Sequence, residues 1–251
     1  ALRLSQVPEG ERMLLEAGAA ILGIAFLVKA GMWPLSFWLP GAYTAAAAPV
    51  AAVFAILSKV GVYVLLRLSL LMFGAKAGAM AGFGDEWLLF GGMATIAFGA
   101  IGVLASQAMG RLAGYYVLVS SGTLLGAIGL ANVAVTSGAL YYLVSSTLTI
   151  AAFFLLIELV ERAQDPAAAV LSVTMEAYGD GDEEDEQPEE EVGVAFPGTL
   201  AVLGICFGCC GLLLAGLPPL SGFIGKFALV AAMFGLEGPG GAISAVSWTL
   251  A

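Results

Sequence analysis

Long apolar stretches alternate along this chain with short breaks of glycine, proline and polar residues. A polar lead-in over residues 1–12 holds Pro8 and Gly10, and from Met13 to Val28 the chain is almost wholly apolar beyond Glu16. The segment WPLSFWLPG interrupts the pattern with Pro34 and Pro40. Proline donates no backbone N–H and clashes with the preceding turn, so a helix breaks there. Pro49 suits a helix start, and a second run extends from it to about Phe73. GAKAGAMAGFGDEW reads as a connection, with Asp85 and Glu86 suited to the positive end of the next helix dipole. Further apolar runs follow at Trp87–Ser106, Leu112–Val133 and Ala139–Leu159, separated by turns at Gln107–Arg111 and Asn132–Gly138. Val192–Ala215 is the sixth run and leads directly into GLPPLSGFIGKFALV. Each run approaches or exceeds the ~20 residues that cross a bilayer as a helix. The pattern predicts an all-α, polytopic transmembrane helix bundle.

Two of the breaks resemble each other. Pro34–Ser36 and Pro219–Ser221 both read PLS, both breaks contain glycine, and an isolated lysine lies near each, Lys29 before the first and Lys226 after the second. Non-helical backbone at membrane depth is tolerated where protein or a wet cavity satisfies it. Broken helices are therefore expected near residues 29–48 and 216–226, with Pro34, Pro40, Pro218, Pro219 and Gly222 as the breaking residues. Broken helices in corresponding positions of two halves point to a transport site. Trp33, Phe37, Trp38 and Tyr43 fit either that broken segment or a headgroup belt. The resulting division is residues 1–164, with about five spans, an acidic disordered loop over 165–191, and further membrane helices over 192–251.

Composition agrees with a membrane protein. Hydrophobic residues make up 60% of 251 and charged residues 11%, with a mean hydropathy of +0.98; soluble domains carry about 25% charge. The net charge of −10 is local in origin, because residues 165–191 hold eleven acids and no base, leaving nine bases against eight acids elsewhere. Such a run with glycine and proline does not fold alone. Fixed acids also gather cations, the second reading of that loop. No basic patch suited to nucleic acid is present. Cys206, Cys209 and Cys210 share one apolar run and the chain has no histidine, so they read as small packing residues rather than a metal or redox site. No nucleotide loop, catalytic nucleophile or metal cluster is found, and no cofactor is expected. The chain opens without an initiator Met or signal peptide and stops as a new apolar stretch begins, and we expect a fragment.

The candidate chemistry lies in isolated bases. Lys29, Lys59 and Lys226 fall in apolar surroundings, where an inserted lysine costs roughly 2.5–3.5 kcal/mol. A buried lysine can exchange its proton, whereas arginine keeps its own. Lysines linked by water and hydroxyls can pass protons. The bland alternative is that each snorkels to the interface, as expected for Arg67 and Lys76. Glu158 is a weaker relay candidate, and its place at the end of its run also suits a solvated interface. Gly122 and Gly126 form a small-xxx-small spacing for close helix packing. Tyr115, Tyr116, Ser120 and Ser121, then Tyr141, Tyr142, Ser145, Ser146, Thr147 and Thr149, supply hydroxyls that can bond across helices.

These motifs resemble the antiporter-like membrane subunits shared by Mrp-type multisubunit cation/proton antiporters and respiratory complex I. VKAGMWPLSFWLP resembles the family's V-K-x-P-x-x-P-x-x-x-W-L-P, matching at Lys29, Pro34, Trp38, Leu39 and Pro40, with Gly31 where complex I subunits usually have Pro. LSKVGVYVLLR resembles L-x-K-x-G-x-Y-x-L-x-R, and GLPPLSGFIGKF resembles the family's broken-helix segment, with Lys226 at the ion-relay position. The resemblance implies the later half of a roughly fourteen-helix subunit, with Lys29, Lys59 and Lys226 on a central hydrophilic axis. QAMGR replaces the usual D-x-K-R, and YLVSSTLTIAAFFL lacks the His or Lys often found in that span. Ser145, Ser146 and water are the candidates to replace that group. These departures look more like the D-type subunits of Mrp/Pha antiporters than complex I subunits.

The expected function is proton translocation within a multisubunit Na⁺(K⁺)/H⁺ antiporter in a prokaryotic inner membrane, as a non-enzymatic subunit. Its expected partners are other membrane subunits, the lipid bilayer, H⁺, and Na⁺ or K⁺. The alternatives are a proton-pumping membrane-arm subunit of a complex I-like NADH:quinone oxidoreductase or related hydrogenase, and a helical scaffold without transport. A scaffold has no need of unpaired buried lysines.

Overall fold

The structure, a computed structural model, describes residues 8–74, 77–178 and 198–234. Among these all regular structure is helical: α1 (Glu9–Ala30), α2 (Trp38–Ala45), α3 (Ala48–Met72), a 3₁₀ turn (Gly78–Met80), α4 (Asp85–Ala105), α5 (Met109–Gly129), α6 (Val133–Tyr178), α7 (Gly198–Ala215) and α8 (Ser221–Phe234). Among the described residues, five helices are long and apolar enough to cross a membrane: α1, α3, α4, α5, and α6 over Ala134–Arg162. The apolar helices α7 and α8 are shorter, and they follow each other across a break.

Both breaks are built the same way. Gly31 and Gly216 each adopt φ +78°, a left-handed conformation that an L side chain resists. The Leu27 carbonyl accepts from the N–H of Gly31 (3.0 Å) and Met32 (3.1 Å), and the Leu212 carbonyl from Gly216 (3.0 Å) and Leu217 (3.2 Å). This is the bonding of a glycine-terminated helix end. A tight turn follows in each, Leu35 N–H to Met32 O at 2.7 Å and Leu220 N–H to Leu217 O at 3.2 Å. Trp33–Pro34 and Pro218–Pro219 are both cis. The shared motif is thus G-x-x-P-L-S, three residues longer than the PLS match alone. Pro40 lies elsewhere, in the first turn of α2. A proline there forfeits no helical bond, so it marks a start; the first break lies between Ala30 and Trp38.

Two other boundaries differ from the expected ones. Asn132 is not the start of a longer turn: its Oδ1 accepts the Ala134 N–H at 2.8 Å and α6 begins at Val133. At its other end α6 runs through the expected loop boundary to Tyr178. Residues 165–178 contain only two of the run's acids, Asp165 and Glu176; α6 continues through Pro166, and beyond it the remaining residues are Ala, Val, Leu, Met, Ser, Thr and Tyr, good or tolerable helix formers. The dense acids begin at Asp180. Residues 179–191 of the expected loop, Lys76, and the apolar stretch at 247–251 lie outside the described residues.

Packing centres on α5 and α6. α5 contacts α2, α3, α4 and α6, while α6 contacts α3, α5, α7 and α8. The buried apolar residues form two main clusters. One contains Leu39, Ala51, Ala55, Val117, Leu118, Ile150 and Phe154. The other contains Val62, Leu66, Leu124, Ile128, Val135, Tyr142 and Leu229. Three helices cross both, and each turns polar in between: α3 at Ser58 and Lys59, α5 at Ser120, Ser121 and Thr123, and α6 at Ser146, Thr147 and Thr149, all buried. The order of clusters along α3 and α5 is the reverse of that along α6. A polar belt therefore lies between two apolar layers, and it is where the candidate lysine sits.

Candidate functional site in the polar belt

Lys59 lies near the middle of α3, eleven residues from Ala48 and thirteen from Met72, or about 16–20 Å of helix in either direction. Only 2% of it is exposed, so snorkelling is excluded within this chain. Its Nζ donates to Ser120 Oγ at 2.7 Å and Ser121 Oγ at 3.1 Å, both on α5. No carboxylate pairs with it among the described residues. Neutral hydroxyls solvate the amine without fixing its charge as a carboxylate would.

The broken segment buttresses this lysine. Ser58, its neighbour, bonds the Tyr43 hydroxyl of α2 at 2.9 Å, and the Tyr43 ring stacks on Phe154 of α6 with centroids 5.3 Å apart. The break is itself anchored to α4, where Thr95 Oγ1 accepts the Trp33 N–H at 2.9 Å. Protein thus satisfies backbone that a helix would otherwise satisfy. Trp33, Phe37 and Trp38 point outward, the disposition expected of a belt, whereas Tyr43 is buried.

Lys226 is half-buried on α8. Its Nζ approaches the Ala215 carbonyl at 3.5 Å, placing a cation donor at the negative end of the α7 dipole. Gly216 leaves room for it, since a Cβ there would meet the Lys226 stem at 3.2 Å. Gly222 is required by contact with α7, where a Cβ would collide with the Leu213 carbonyl. The first residue of α8, Ser221, accepts a hydrogen bond from Ser145 Oγ of α6 at 2.9 Å.

A cavity of about 40 Å³ joins the two lysine neighbourhoods. Ser120, which binds Lys59, lies on its wall together with Tyr142, Ser146, Thr149 and Lys226. Such a volume holds roughly one to three waters. Ser146 Oγ donates to Leu143 O and Thr149 Oγ1 to Ser145 O, at 3.3 and 2.9 Å. With their protons committed to the α6 backbone, these hydroxyls offer lone pairs to whatever occupies the cavity. Water fits such a wall, donating to these two hydroxyls and accepting from the Lys226 ammonium.

The other candidates lie apart from this cavity. Lys29 is exposed in the last turn of α1, its stem against Gly61 of α3. Glu158 forms an i,i+4 ion pair with Arg162, whose side chain is 75% exposed. Arg67 is exposed. Cys206, Cys209 and Cys210 are free, the first two exposed. The lysines and the hydroxyl-rich faces are legible in the sequence, but their pairing is not. The signal for pairing is the coincidence of polar residues at mid-run in three of the long apolar stretches, those of α3, α5 and α6.

Comparison with known proteins places this geometry in a family. Residues 6–249 match the family described as NADH:quinone oxidoreductase/Mrp antiporter, TM. The probable K⁺/H⁺ antiporter D subunit of Rhizobium meliloti is 67% identical over 99% of this chain and 46% of its own length. The Na⁺/H⁺ antiporter D subunit of Bacillus subtilis is 31% identical over 88% of this chain and 40% of its own. The NADH-quinone oxidoreductase N subunit of Mycobacteroides abscessus is 30% identical over 88% and 39%. The chain spans less than half the length of these relatives. The fold matches a chain in the structure of the Mrp complex from Dietzia sp. DQ12-45-1b, with a TM-score of 0.67 and 21% identity over 93% of this chain and 39% of that one. The chain is therefore a multi-pass membrane protein that belongs to the NADH:quinone oxidoreductase/Mrp antiporter transmembrane family.

Proposed function

We propose that this chain forms part of the proton-translocating D-type subunit of a multisubunit Na⁺ or K⁺/H⁺ antiporter, and that protons pass between Lys59 and Lys226 through hydroxyls and water. The observation that carries this reading is the buried amine of Lys59 on Ser120, with Ser120 and Lys226 on one water-sized cavity. Two ionisable groups with a hydroxyl-lined, wettable gap between them form the minimum apparatus for a proton step in hydrocarbon. Lys29, at the end of the first broken helix, is the candidate next member of the relay. Glu158 is a peripheral group in this reading, because it pairs with the exposed Arg162 and does not lie on the cavity wall. The subunit is a transporter component rather than an enzyme, works with other membrane subunits, and carries H⁺ against Na⁺ or K⁺. The relatives named as antiporter D subunits support this over the complex I-like reading.

The test uses vesicles carrying the complete antiporter. Lys59→Ala and Lys226→Ala are each expected to abolish the dissipation of a pH gradient by Na⁺ and K⁺, with assembly intact. Normal flux in both variants would eliminate the relay. Flux that required quinone turnover and no cation would instead assign the chain to a membrane-arm oxidoreductase.

A further inference from the structure

The helix α5 meets different neighbours on different faces. A Cβ on Gly114 would lie 3.2 Å from Pro40 Cα and 3.5 Å from Tyr43 Cβ of α2, and a Cβ on Gly31 would lie 2.9 Å from Leu118 Cδ2. Gly114 and Leu118 therefore face the first helix break. Ser121 follows them by seven and three residues and shares their face. Tyr116, Val119 and Ser120 instead line the cavity that also reaches Lys226, beyond the second break. Ser121 is fully buried and does not line that cavity. Neighbouring side chains on a helix point about 100° apart, so the two serines turn toward different breaks.

Lys59 spans the corner between them. Its Nζ donates to Ser120 Oγ at 2.7 Å on the cavity side and to Ser121 Oγ at 3.1 Å on the side of the first break. The first break also touches α3 one residue earlier, through the Tyr43–Ser58 bond of 2.9 Å. Among the described residues the two serines are the hydrogen-bond acceptors of Lys59. A lysine ammonium carries three N–H donors, and the neutral amine carries two with a lone pair. Two hydroxyls thus satisfy every N–H of the neutral amine, and the third proton can leave without orphaning a donor. With Ser120 alone, the neutral amine would retain a buried N–H without a partner, which is destabilising.

We propose that Ser121 is a positioning residue for the proton step: acting through Lys59, it holds the amine between the two helix breaks and supplies the second acceptor that the amine needs once its proton has gone. This rests on the proposed relay and names the side chain that lets its most deeply buried lysine occupy both charge states. Ser120 joins Lys59 to the cavity; Ser121 keeps the same nitrogen from being tied to the cavity side alone. The bland role for Ser121 is that of a small residue in a tightly packed helix face, and volume and acceptor strength separate the two.

The experiment measures cation-driven proton flux per assembled complex in vesicles holding the complete antiporter, with three substitutions at this position. Ser121→Ala removes the acceptor, and flux is expected to fall on the order of tenfold, as for the loss of one hydrogen bond to a charged group. Ser121→Thr keeps the hydroxyl and adds a methyl group, and is expected to retain most of the flux. Ser121→Cys stays close to serine in size but offers only a weak sulfur acceptor, and is expected to resemble Ser121→Ala. A packing role reverses that order, with the cysteine variant tolerated and the larger threonine variant impaired. Should Ser121→Ala fail to assemble on a native gel, the comparison of Ser121→Thr with Ser121→Cys decides the matter. Full flux in Ser121→Ala alongside lost flux in Lys59→Ala would overturn the positioning role and leave the relay standing. Equal loss in the threonine and cysteine variants, or the reversed order, would also overturn it. Retained flux in Lys59→Ala would overturn the relay itself.

Discussion

Two serines occupy the same position in the two helix breaks and face opposite circumstances. Ser221 accepts from Ser145 Oγ at 2.9 Å. Ser36 is fully buried and its Oγ has no hydrogen-bond partner among the described residues. A buried hydroxyl without a partner costs on the order of 1–3 kcal/mol, whereas a paired one contributes about 1 kcal/mol net. In the solubilised complex, Ser221→Ala is therefore expected to lower the unfolding midpoint. Ser36→Ala is expected to leave it unchanged or raise it. A destabilisation by Ser36→Ala similar to that of Ser221→Ala would show that another part of the complex supplies the missing partner. Residue-level chemistry of this kind is only half legible in the sequence. An isolated lysine amid apolar residues stands out at once, because its insertion cost demands a reason. That Lys59 is enclosed while Lys29 is exposed does not stand out, since both have apolar neighbours in sequence and differ in which helices cover them. The PLS repeat is visible, but nothing in those letters distinguishes a serine with a partner across the interface from one without.

Helix starts and stops are easier to read than helix faces. Proline and glycine act through the local backbone, so Pro49 and the two PLS segments announce their roles directly. Pro40 misleads because a proline three residues into a helix and one that breaks a helix look alike until the start is known. The far end of α6 misleads for a different reason. Charge draws the expected boundary at Asp165, whereas α6 continues through Pro166 into an alanine-rich stretch and ends at Tyr178. Close packing is legible on one side only. Gly122 and Gly126 show the spacing of a tight helix contact, and the structure supplies the other face, Gly92 of α4. A Cβ on Gly92 would lie 2.5 Å from Gly126 N, and one on Gly122 would lie 2.8 Å from Gly92 O. Backbone cannot swing aside as a side-chain tip can. Gly92→Ala and Gly122→Ala are each expected to destabilise the complex by about 1–3 kcal/mol. Gly204→Ala and Gly208→Ala, where a Cβ meets nothing within 4 Å, are expected to be neutral within this chain. Thermal unfolding of the four variants checks this, and equal effects in both pairs would refute the α4–α5 contact as the cause.

The layering of the whole chain separates what holds it together from what it does. Two apolar clusters hold the helices in register, and a polar belt runs between them through α3, α5 and α6. Lipid is as apolar as leucine, so the clusters stabilise through packing and shape rather than by leaving water. The belt contributes differently. Its hydroxyls have backbone or side-chain partners such as Leu143 O, Ser145 O and Val119 O, so replacing one by an isosteric apolar group removes donor and acceptor chemistry while little packing is lost. This separation predicts two distinct kinds of mutant. Leu125→Ala and Phe153→Ala, in opposite clusters, are expected to cost roughly 2–5 kcal/mol in unfolding, with proton flux per assembled complex unchanged. Thr149→Val, on the cavity wall, is expected to leave unfolding within about 1 kcal/mol of the parent and to lower flux per complex several-fold, because one acceptor for cavity water is gone. The measurements are thermal unfolding of the solubilised complex and flux normalised to the amount assembled in vesicles. If Leu125→Ala lowered normalised flux as much as Thr149→Val, the apolar layers would be part of the conduction path, and the division of labour between belt and clusters would fail. If Thr149→Val unfolded the complex, the belt would be a structural device, with its hydroxyls serving chiefly to bind helices together.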